Sequence, residues 1–389
     1  MTGRREQFPL GAAVTAQRLD SGLHDTLAEL REREPVAWVP ALEAWLVTSR
    51  ALCVEVMRDA ATFTVDDPRF STALVLGPSM LSRDGSEHAR HRDPFAEAFR
   101  QSEIRQTFAN AVNDLAHEIV AELRPHGRAE LRRQLAGPLA ARVMAVALDL
   151  VDVDAATLLA WYREIVAAVD AISRGNLGSP RAEAAVTALA ERVGTTVAVG
   201  RGVLAGARGA LAPNEIVANT GVLLFGGIET TEGMTANLFT HLLREPELWA
   251  SVDADRALIA TAVEESLRLE PSVVRVDRYA TRDATLGRAS IGVGDFVILM
   301  IAAANRDPDV FPDPDRFDIR RPNAKQHLTF AHGPHVCLGM HLARLEAHAA
   351  VSAALDLLPG LRLAPSVEPP TPAGTVFRKP DRVDVVWER

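Results

Sequence analysis

The sequence has very little lysine. Of its 42 basic residues only Lys325 and Lys379 are lysines, and the others are arginines. Acidic residues outnumber basic ones and give a formal net charge of −9, so overall charge offers no attraction for nucleic acid. The arginines that remain present planar forks of N–H donors, which suit carboxylate partners.

Cysteine is also scarce, since the 389 residues contain only Cys53 and Cys337. Two cysteines exclude a disulfide framework and fit a reducing compartment. The N-terminal region has no apolar run of 18 or more residues, which argues against a membrane anchor and a secretory signal. We therefore expect a cytoplasmic protein. Cys53 lies in an apolar helical pattern, residues 51–57, and is predicted to fill the core.

No fixed-period repeat, low-complexity linker or change of composition marks a domain boundary. Helical periodicity dominates residues 101–211 and 213–269, with clear apolar spacing at 136–148 and 158–172. Strand-like runs are short: a hairpin at 38–40 and 44–48, two strands around a Gly-Asp turn at 289–293 and 296–299, and two runs at 375–378 and 383–387. The pattern predicts a mainly α protein with a small β portion.

Residues 330–339, FAHGPHVCLG, form a short segment with one thiol between glycines, followed by a helical pattern. Gly333 and Gly339 let the backbone approach a bulky flat group or adopt positive φ. A helix that starts just after Cys337 would place the sulfur near backbone N–H groups and favour the thiolate. The segment therefore suits a metal-binding thiolate; the alternative is a small buried cysteine in a turn.

This segment resembles the haem-ligand loop of the cytochrome P450 family, F-x-x-G-x-x-x-C-x-G. Phe330, Gly333, Cys337 and Gly339 match it position by position. The resemblance implies that Cys337 is the axial thiolate ligand of haem b (protoporphyrin IX iron), and that the other three residues belong to the haem-binding loop. A thiolate ligand pushes electron density to the iron and favours cleavage of the O–O bond.

A second motif lies inside a long helical stretch, where residues 223–231 read LLFGGIETT. Two glycines inside a helix cost roughly 1 kcal/mol each, and threonine can bond back to the preceding turn, which predicts a bulge or groove. A simple kink is the alternative. Gly226, Gly227, Glu229 and Thr230 match the family signature A/G-G-x-D/E-T. The resemblance implies that Thr230 helps to hold dioxygen and an ordered water, and that Glu229 routes protons inward.

Residues 264–268, EESLR, place Glu265 and Arg268 on one helix face, which alone is a weak signal. In the family an E-x-x-R pair is buried and joins a downstream loop, here 311–317. The resemblance implies a structural network of Glu265, Arg268 and Arg316 without a catalytic role. Residues 304–308, ANRDP, also resemble the family.

Four further residues occupy positions where the family binds the haem propionates. His88 and Arg92 match an H-x-x-x-R motif at i, i+4 spacing, while Arg278 and His335 match two later positions. Each could equally be a solvated charge, but the resemblance implies that all four donate to propionate oxygens. Arg90 and His91 are offset from the His88 face and are left out of this set.

The resemblance extends over nearly the whole chain. It implies one catalytic domain, residues 1–389, with a cytochrome P450-like fold in which a long central helix crosses above the haem and the Cys337 loop lies beneath it. The implied activity is insertion of one oxygen atom from O2 into a hydrophobic small molecule by hydroxylation, epoxidation or O-dealkylation. The implied electron source is a separate ferredoxin with its NAD(P)H-dependent reductase, which could dock near Arg100 and Arg344.

By resemblance, the substrate pocket should be formed by residues 65–81, 223–229, 272–276 and 374–377, many of them apolar. Arg275 is the exception, and it either points inward to bind a carboxylate or phenolate or pairs with Asp277. Two rival functions remain. One is a haem-thiolate protein that binds a ligand without turnover; the other is an atypical family member that performs oxidative coupling or peroxide-driven oxidation, although the Glu229–Thr230 pair disfavours peroxide use.

Overall fold

The computed structural model describes residues 2–150, 152–173, 179–200, 202–365 and 368–388. Helix makes up 59% and strand 11% of it, which confirms the mainly α class. The α-helices are α1 Thr2–Gln7, α2 Pro9–Ala12, α3 Ala16–Ser21, α4 Leu23–Arg33, α5 Arg50–Arg58, α6 Ser71–Leu76, α7 Gly85–Ala96, α8 Gln101–Glu103, α9 Ala109–Leu123, α10 Gly137–Ala147, α11 Ala155–Ser173, α12 Pro180–Val199, α13 Gly202–Gly206, α14 Pro213–Arg244, α15 Pro246–Ala254, α16 Leu258–Leu269, α17 Ile301–Ala304 and α18 Met340–Leu357.

Several helix starts follow from local chemistry. Proline is the first residue of α12, α14 and α15, where its fixed φ suits the helix and its missing N–H needs no partner. Thr15 and Ser179 cap α3 and α12 with side-chain oxygens that accept backbone N–H bonds. Within the described residues no helix is both long enough and apolar enough to cross a membrane.

The strands are short and belong to four sheets. They are β1 Val36–Val39, β2 Ala44–Val47, β3 Phe63–Thr64, β4 Arg128–Glu130, β5 Arg275–Ala280, β6 Ala284–Leu286, β7 Ala289–Ile291, β8 Phe296–Met300, β9 Arg362–Leu363, β10 Pro372–Ala373, β11 Lys379–Pro380 and β12 Asp384–Val386. The largest sheet has the order β1-β2-β8-β5-β3, with β2 and β8 parallel and the other neighbours antiparallel. The hairpin expected near residue 40 is therefore confirmed.

The strands expected at 289–293 and 296–299 are present as β7 and β8, of which β7 pairs with β6, and β8 pairs with β2 and β5. One strand prediction needs correction. Residues 375–378 are not a strand. They form the turn between β10 and β11, in which Gly374 has a φ of 115° and Phe377 makes a single bridge to Val273.

The chain forms two compact units. Unit 1 comprises Met1–Val65, Thr240–Cys337 and Pro370–Asp381, and unit 2 comprises Asp66–Phe239, Leu338–Pro369 and Arg382–Arg389. In unit 1 the five-stranded sheet is buried on both faces, because alternate residues of its strands enter two apolar clusters. Trp45 and Val297 lie in one cluster with Cys53, while Leu46 and Ile298 lie in the other. The prediction that Cys53 fills the core is confirmed.

Unit 2 is built from helices α6 to α13, most of α14, and α18, with the small sheet β4-β12-β9. Helix α18 packs against α9 and α10 through alanine-rich turns that are fully buried. The expected helices at 136–148 and 158–172 are α10 and α11. Helix α14 is buried along most of its length, and the exposed or half-buried positions between residues 218 and 243 are confined to Phe225, Gly226, Gly227 and Thr230.

Candidate functional site

Residues 330–337 form a loop in unit 1 that is closed by main-chain hydrogen bonds. The Cys337 amide donates to the Phe330 carbonyl over 2.8 Å, and a 3₁₀ turn, Gly333–His335, lies between them with the Val336 amide bonded to the Gly333 carbonyl. Helix α18 begins three residues after the cysteine, as the sequence predicts. The loop therefore holds the cysteine backbone through its own hydrogen bonds.

Two residues of this loop have left-handed backbone conformations. Gly333 has a φ of 74°, and a Cβ built on it would lie 2.5 Å from the Met57 carbonyl oxygen, so glycine is required there on two grounds. Ala331 has a φ of 59° although it carries a Cβ. The sequence analysis predicted the role of Gly333 but missed Ala331, because backbone strain has no local signature in the sequence.

The two cysteines have opposite environments. Cys53 is 0% exposed, its Sγ donates to the Val47 carbonyl, and burial raises the pKa of its thiol. Cys337 is exposed on the loop. A Cβ built on Gly339, two residues further, meets no protein atom within 4 Å. A cysteine beside open space can coordinate a metal in a flat macrocycle, whereas Cys53 cannot.

Side chains that the sequence analysis did not single out tie the loop to α16. Asn305 accepts from the Leu328 amide over 2.7 Å and donates to Thr329 Oγ1 over 2.9 Å. Thr329 in turn donates to the Leu267 carbonyl of α16 over 2.7 Å. The available signal was the match of residues 304–308 to the family, which contains Asn305.

The remaining predicted residues of unit 1 are Arg278 and His335. Arg278 lies on β5, is 4% exposed, and donates through Nη1 to the Asp277 carbonyl over 2.8 Å. His335 ends the 3₁₀ turn of the cysteine loop and is half-buried. On the neighbouring part of β5, Arg275 Nε lies 3.4 Å from Asp277 Oδ1, which supports the ion-pair alternative for Arg275.

The predicted network around Glu265 is correct for two members and wrong for the third. Glu265 and Arg268 are both 0% exposed and form a bidentate pair at 2.8 Å. The second arginine on Glu265 is Arg321, at 3.0 Å, not Arg316. Arg316 contributes only its carbonyl oxygen, which accepts from Arg268 and Arg321, and its side chain is exposed. The chain turns at residues 313–316, and the arginine side chain that reaches Glu265 is therefore that of Arg321, five residues after Arg316.

In unit 2, His88 and Arg92 lie one turn apart on α7, as predicted. His88 is 6% exposed, and its Nδ1 lies 2.9 Å from the Met80 carbonyl oxygen. A carbonyl only accepts, so Nδ1 carries a proton, and His88 can donate to a further oxygen only as the imidazolium.

Arg90 and His91, which were excluded from the haem set, join α7 to α14. Arg90 pairs with Glu87 and with Glu215 at 2.8 and 2.6 Å. His91 is 1% exposed and lies 2.8 Å from Asn219 Nδ2, and Asn219 also accepts from the Met80 amide. These contacts give both residues structural partners inside unit 2.

The Gly-Gly-x-Glu-Thr segment lies in an α-helix that continues without a break from Pro213 to Arg244, so a bulge is absent, while the predicted groove stays a prediction. The back-bond is present: Thr230 Oγ1 donates to the Gly226 carbonyl over 2.5 Å. Gly226 is exposed and a Cβ there meets nothing within 4 Å. Glu229 is 7% exposed, and the next acid along the helix, Glu232, binds Arg132.

Gly227 has a packing function in unit 2. A Cβ on this residue would lie 2.3 Å from Met144 Sδ and 2.8 Å from Met144 Cγ. The missing side chain therefore lets α14 approach α10 closely. The closeness of Met144 concerns only the side of Gly227 on which a Cβ would lie, and it does not test a haem contact. The predicted haem contact of Gly227 stays a prediction.

These features suit a haem. In unit 1 the exposed thiol of Cys337 fits a thiolate ligand, and Arg278 is a cationic donor for carboxylates. In unit 2 the open space at Gly339 and the exposed backbone at Gly226 leave room for a flat group, and Arg92 is a second cationic donor. The mainly helical fold and the exposed thiol on its loop indicate a haem-thiolate protein. The cytochrome P450 family model matches residues 204–382.

Curated relatives match over nearly the full chain. Nocardicin C N-oxygenase of Nocardia uniformis subsp. tsuyamanensis is 32% identical over 98% of this chain and 98% of its own. Mycinamicin IV hydroxylase/epoxidase of Micromonospora griseorubida is 32% identical over 92% of this chain and 94% of its own. Among solved structures, that of CalO2 has a TM-score of 0.87 at 28% identity and covers 96% of this chain and 99% of the other.

The chain belongs to the cytochrome P450 family. Several of its relatives are named as monooxygenases, oxygenases or hydroxylases, and the chain is an oxidoreductase of the haem-thiolate monooxygenase type. The family's cofactor is haem b bound through a cysteine thiolate.

Proposed function

We propose that Cys337 is the iron ligand of a monooxygenase that oxidises a hydrophobic small molecule with O2. The observation that carries this proposal is the contrast between the two cysteines, because only Cys337 is exposed and lies on a loop with left-handed residues and space beside it. The bound haem supplies the chemistry of O2 activation. Phe330, Gly333 and Gly339 shape the loop, and Gly227 contacts the haem.

The four basic residues hold the propionates in this proposal. His88 and Arg92 present their side chains from one face of α7, and Arg278 and His335 present theirs from β5 and the cysteine loop. Charge-assisted bonds to carboxylates are stronger than neutral ones, so the four donors together retain the cofactor. Because Nδ1 of His88 already donates to Met80, its propionate bond goes through Nε2.

Proton delivery belongs to Glu229 and Thr230 in this proposal. The Thr230 hydroxyl gives its proton to the Gly226 carbonyl, and in this proposal a water donates to its oxygen. Release of that bond lets the hydroxyl donate in the other direction. Glu229, buried at the adjacent position, supplies the carboxylate of the relay.

The substrate proposal rests on exposed apolar side chains. Leu74 is 58% and Val376 is 38% exposed, and both lie in segments expected to form pocket walls. An apolar lining favours a hydrophobic molecule. Hydroxylation, epoxidation or O-dealkylation fits this class, and relatives are named as an N-oxygenase and as a hydroxylase/epoxidase.

The electrons come, in this proposal, from a separate ferredoxin and its NAD(P)H-dependent reductase. Arg100, whose side chain is 67% exposed, is better placed for an acidic donor than the half-buried Arg344, which bonds to the Met340 carbonyl. The buried free thiol of Cys53 and the scarcity of cysteine support a reducing compartment, the cytoplasm.

The test is the absorption spectrum of the purified, reduced protein under carbon monoxide. We expect the strongly red-shifted Soret band of a thiolate–CO complex. In Cys337→Ser this band should disappear, while Cys53→Ser, the matched control, should retain it. A band at the shorter wavelength of histidine-ligated haem in the native protein, or persistence of the red-shifted band in Cys337→Ser, would exclude Cys337 as the ligand.

A further inference from the structure

The His327 side chain occupies a defined place between α16 and the cysteine loop. Its Nε2 lies 3.2 Å from Glu264 Oε2, and both side chains are nearly fully buried, at 2% and 5% exposure. Its Nδ1 accepts from the Thr329 amide over 3.2 Å. A backbone amide only donates, so Nδ1 carries no proton and the proton is on Nε2, which donates to Glu264.

The ring of His327 also contacts the first residue of the cysteine loop. Its centroid lies 5.7 Å from that of Phe330, in a tilted arrangement. Phe330 is the residue whose carbonyl accepts from the Cys337 amide. A continuous path therefore leads from the Glu264 carboxylate through the imidazole to the Phe330 backbone and on to the cysteine.

We propose that His327 and Glu264 are positioning residues that fix the direction in which Cys337 presents its thiolate. The inference rests on the proposed role of Cys337. The imidazole has one rotational position that satisfies both Glu264 and the Thr329 amide, so the aromatic contact to Phe330 is set by hydrogen bonds. The Asn305 bonds hold Leu328 and Thr329, whereas His327 sets the orientation of the Phe330 ring at the start of the loop.

Substitutions at His327 distinguish its hydrogen bond to Glu264 from its hydrogen bond to the Thr329 amide. His327→Phe keeps a ring against Phe330 but removes both bonds. His327→Gln keeps a donor for Glu264, and His327→Asn keeps an acceptor for the Thr329 amide. Glu264→Gln is the conservative control, because its amide oxygen can still accept from Nε2. Leu30→Ala, a core change in α4 of the same unit, controls for a general loss of stability.

The first readout is the rate at which the thiolate–CO band of the reduced protein converts to the shorter-wavelength band. At about 0.7 kcal/mol for each net hydrogen bond, loss of both bonds corresponds to a rate increase on the order of tenfold. We expect that increase in His327→Phe, smaller increases in the Gln and Asn variants, and none in Glu264→Gln. Leu30→Ala should lower the melting temperature without accelerating the conversion.

The second readout needs no haem. Amide hydrogen exchange of residues 328–339 in the haem-free protein should be faster in His327→Phe than in the native protein or in Leu30→Ala. Conversion and exchange no faster in His327→Phe than in Leu30→Ala would overturn the positioning role. If the native protein shows no thiolate–CO band, the proposed function fails, and the exchange measurement still decides whether His327 orders the loop.

Discussion

Ala331 has a backbone conformation that costs a residue with a Cβ about 1–2 kcal/mol relative to glycine. The loop tolerates this cost because neighbouring bonds determine the backbone: the Ala331 amide donates to the Leu328 carbonyl over 2.8 Å, and Asn305 holds Leu328. Strain retained beside an exposed thiol is typical of functional loops. The cysteine is thus held by a rigid backbone.

The glycines on either side of Cys337 should respond differently to substitution. Gly333→Ala places a Cβ against the Met57 carbonyl at positive φ, and we expect a loss of about 1–3 kcal/mol of stability with or without haem. Gly339→Ala, at a φ of −83°, meets no protein atom, so the haem-free protein should keep its melting temperature while haem retention falls. Thermal unfolding of both forms checks this pair; unchanged haem retention in Gly339→Ala would contradict the predicted haem contact.

Helix α14 presents its polar groups through a regular α-helix. The Thr230–Gly226 bond satisfies the hydroxyl without breaking the helix, and close packing of Gly227 on Met144 holds this part of α14 near α10. A regular helix positions Glu229 and Thr230 more rigidly than a loop would.

Changing Thr230 to Ala should separate electron use from product formation. The variant should keep haem and the thiolate–CO spectrum but release more peroxide per NAD(P)H consumed, because the relay hydroxyl is lost. Thr230→Ser keeps the hydroxyl and serves as the control. The measurement is product and peroxide formed per electron pair; equal coupling in all three proteins would remove Thr230 from the relay.

The network on α16 gives a prediction for two arginines close in sequence. Arg321→Ala removes one of the two arginine partners of the buried Glu265 and should cost about 3–5 kcal/mol. Arg316→Ala keeps the carbonyl that accepts from Arg268, so its effect should stay within about 0.5 kcal/mol. Chemical unfolding of the two variants tests this difference, and similar losses in both would restore the network expected from the sequence.

The sequence predicted those parts of the fold and site that depend on local pattern. The helices, the cysteine loop and the i, i+4 pair on α7 follow from spacing along the chain. The partners of β7 and β8 could not be predicted, because each is set by strands elsewhere in the chain. Residues 375–378 have high β propensity, but Gly374 turns the chain there. Arg321 and His327 act through partners 56 and 63 residues away.

Two of the buried titratable groups of unit 1 lose their contribution to stability as the pH falls. Burial lowers the pKa of His241 to about 4, and its Nδ1 lies 2.9 Å from Ser266 Oγ. Glu270 is buried, which opposes ionisation, but bonds and charges from His24, Arg378 and Arg306 bring its pKa to about 2. His241 is therefore neutral and Glu270 is charged in the folded state near pH 7.

Acidification should destabilise the protein in two steps. Between pH 6.5 and 4 the unfolded state takes up a proton at His241 that the folded state does not, which lowers stability by about 3 kcal/mol. Below pH 4.5 the contribution of Glu270 is lost in the same way as pH falls toward 2. His241→Gln should flatten the first step. Melting temperatures of both proteins between pH 7.5 and 4.5 measure this; parallel curves would contradict a neutral buried His241.

The strand order of the five-stranded sheet also affects how the chain folds during synthesis. Trp45 on β2 bonds to Asp295, 250 residues later in the chain, and β2 has β8 as its parallel neighbour. At typical translation rates the nascent hairpin of β1 and β2 waits roughly 10–50 s for that neighbour. During this interval an apolar strand edge is uncovered on the ribosome, so chaperone binding to the first 50 residues should determine the yield of folded protein.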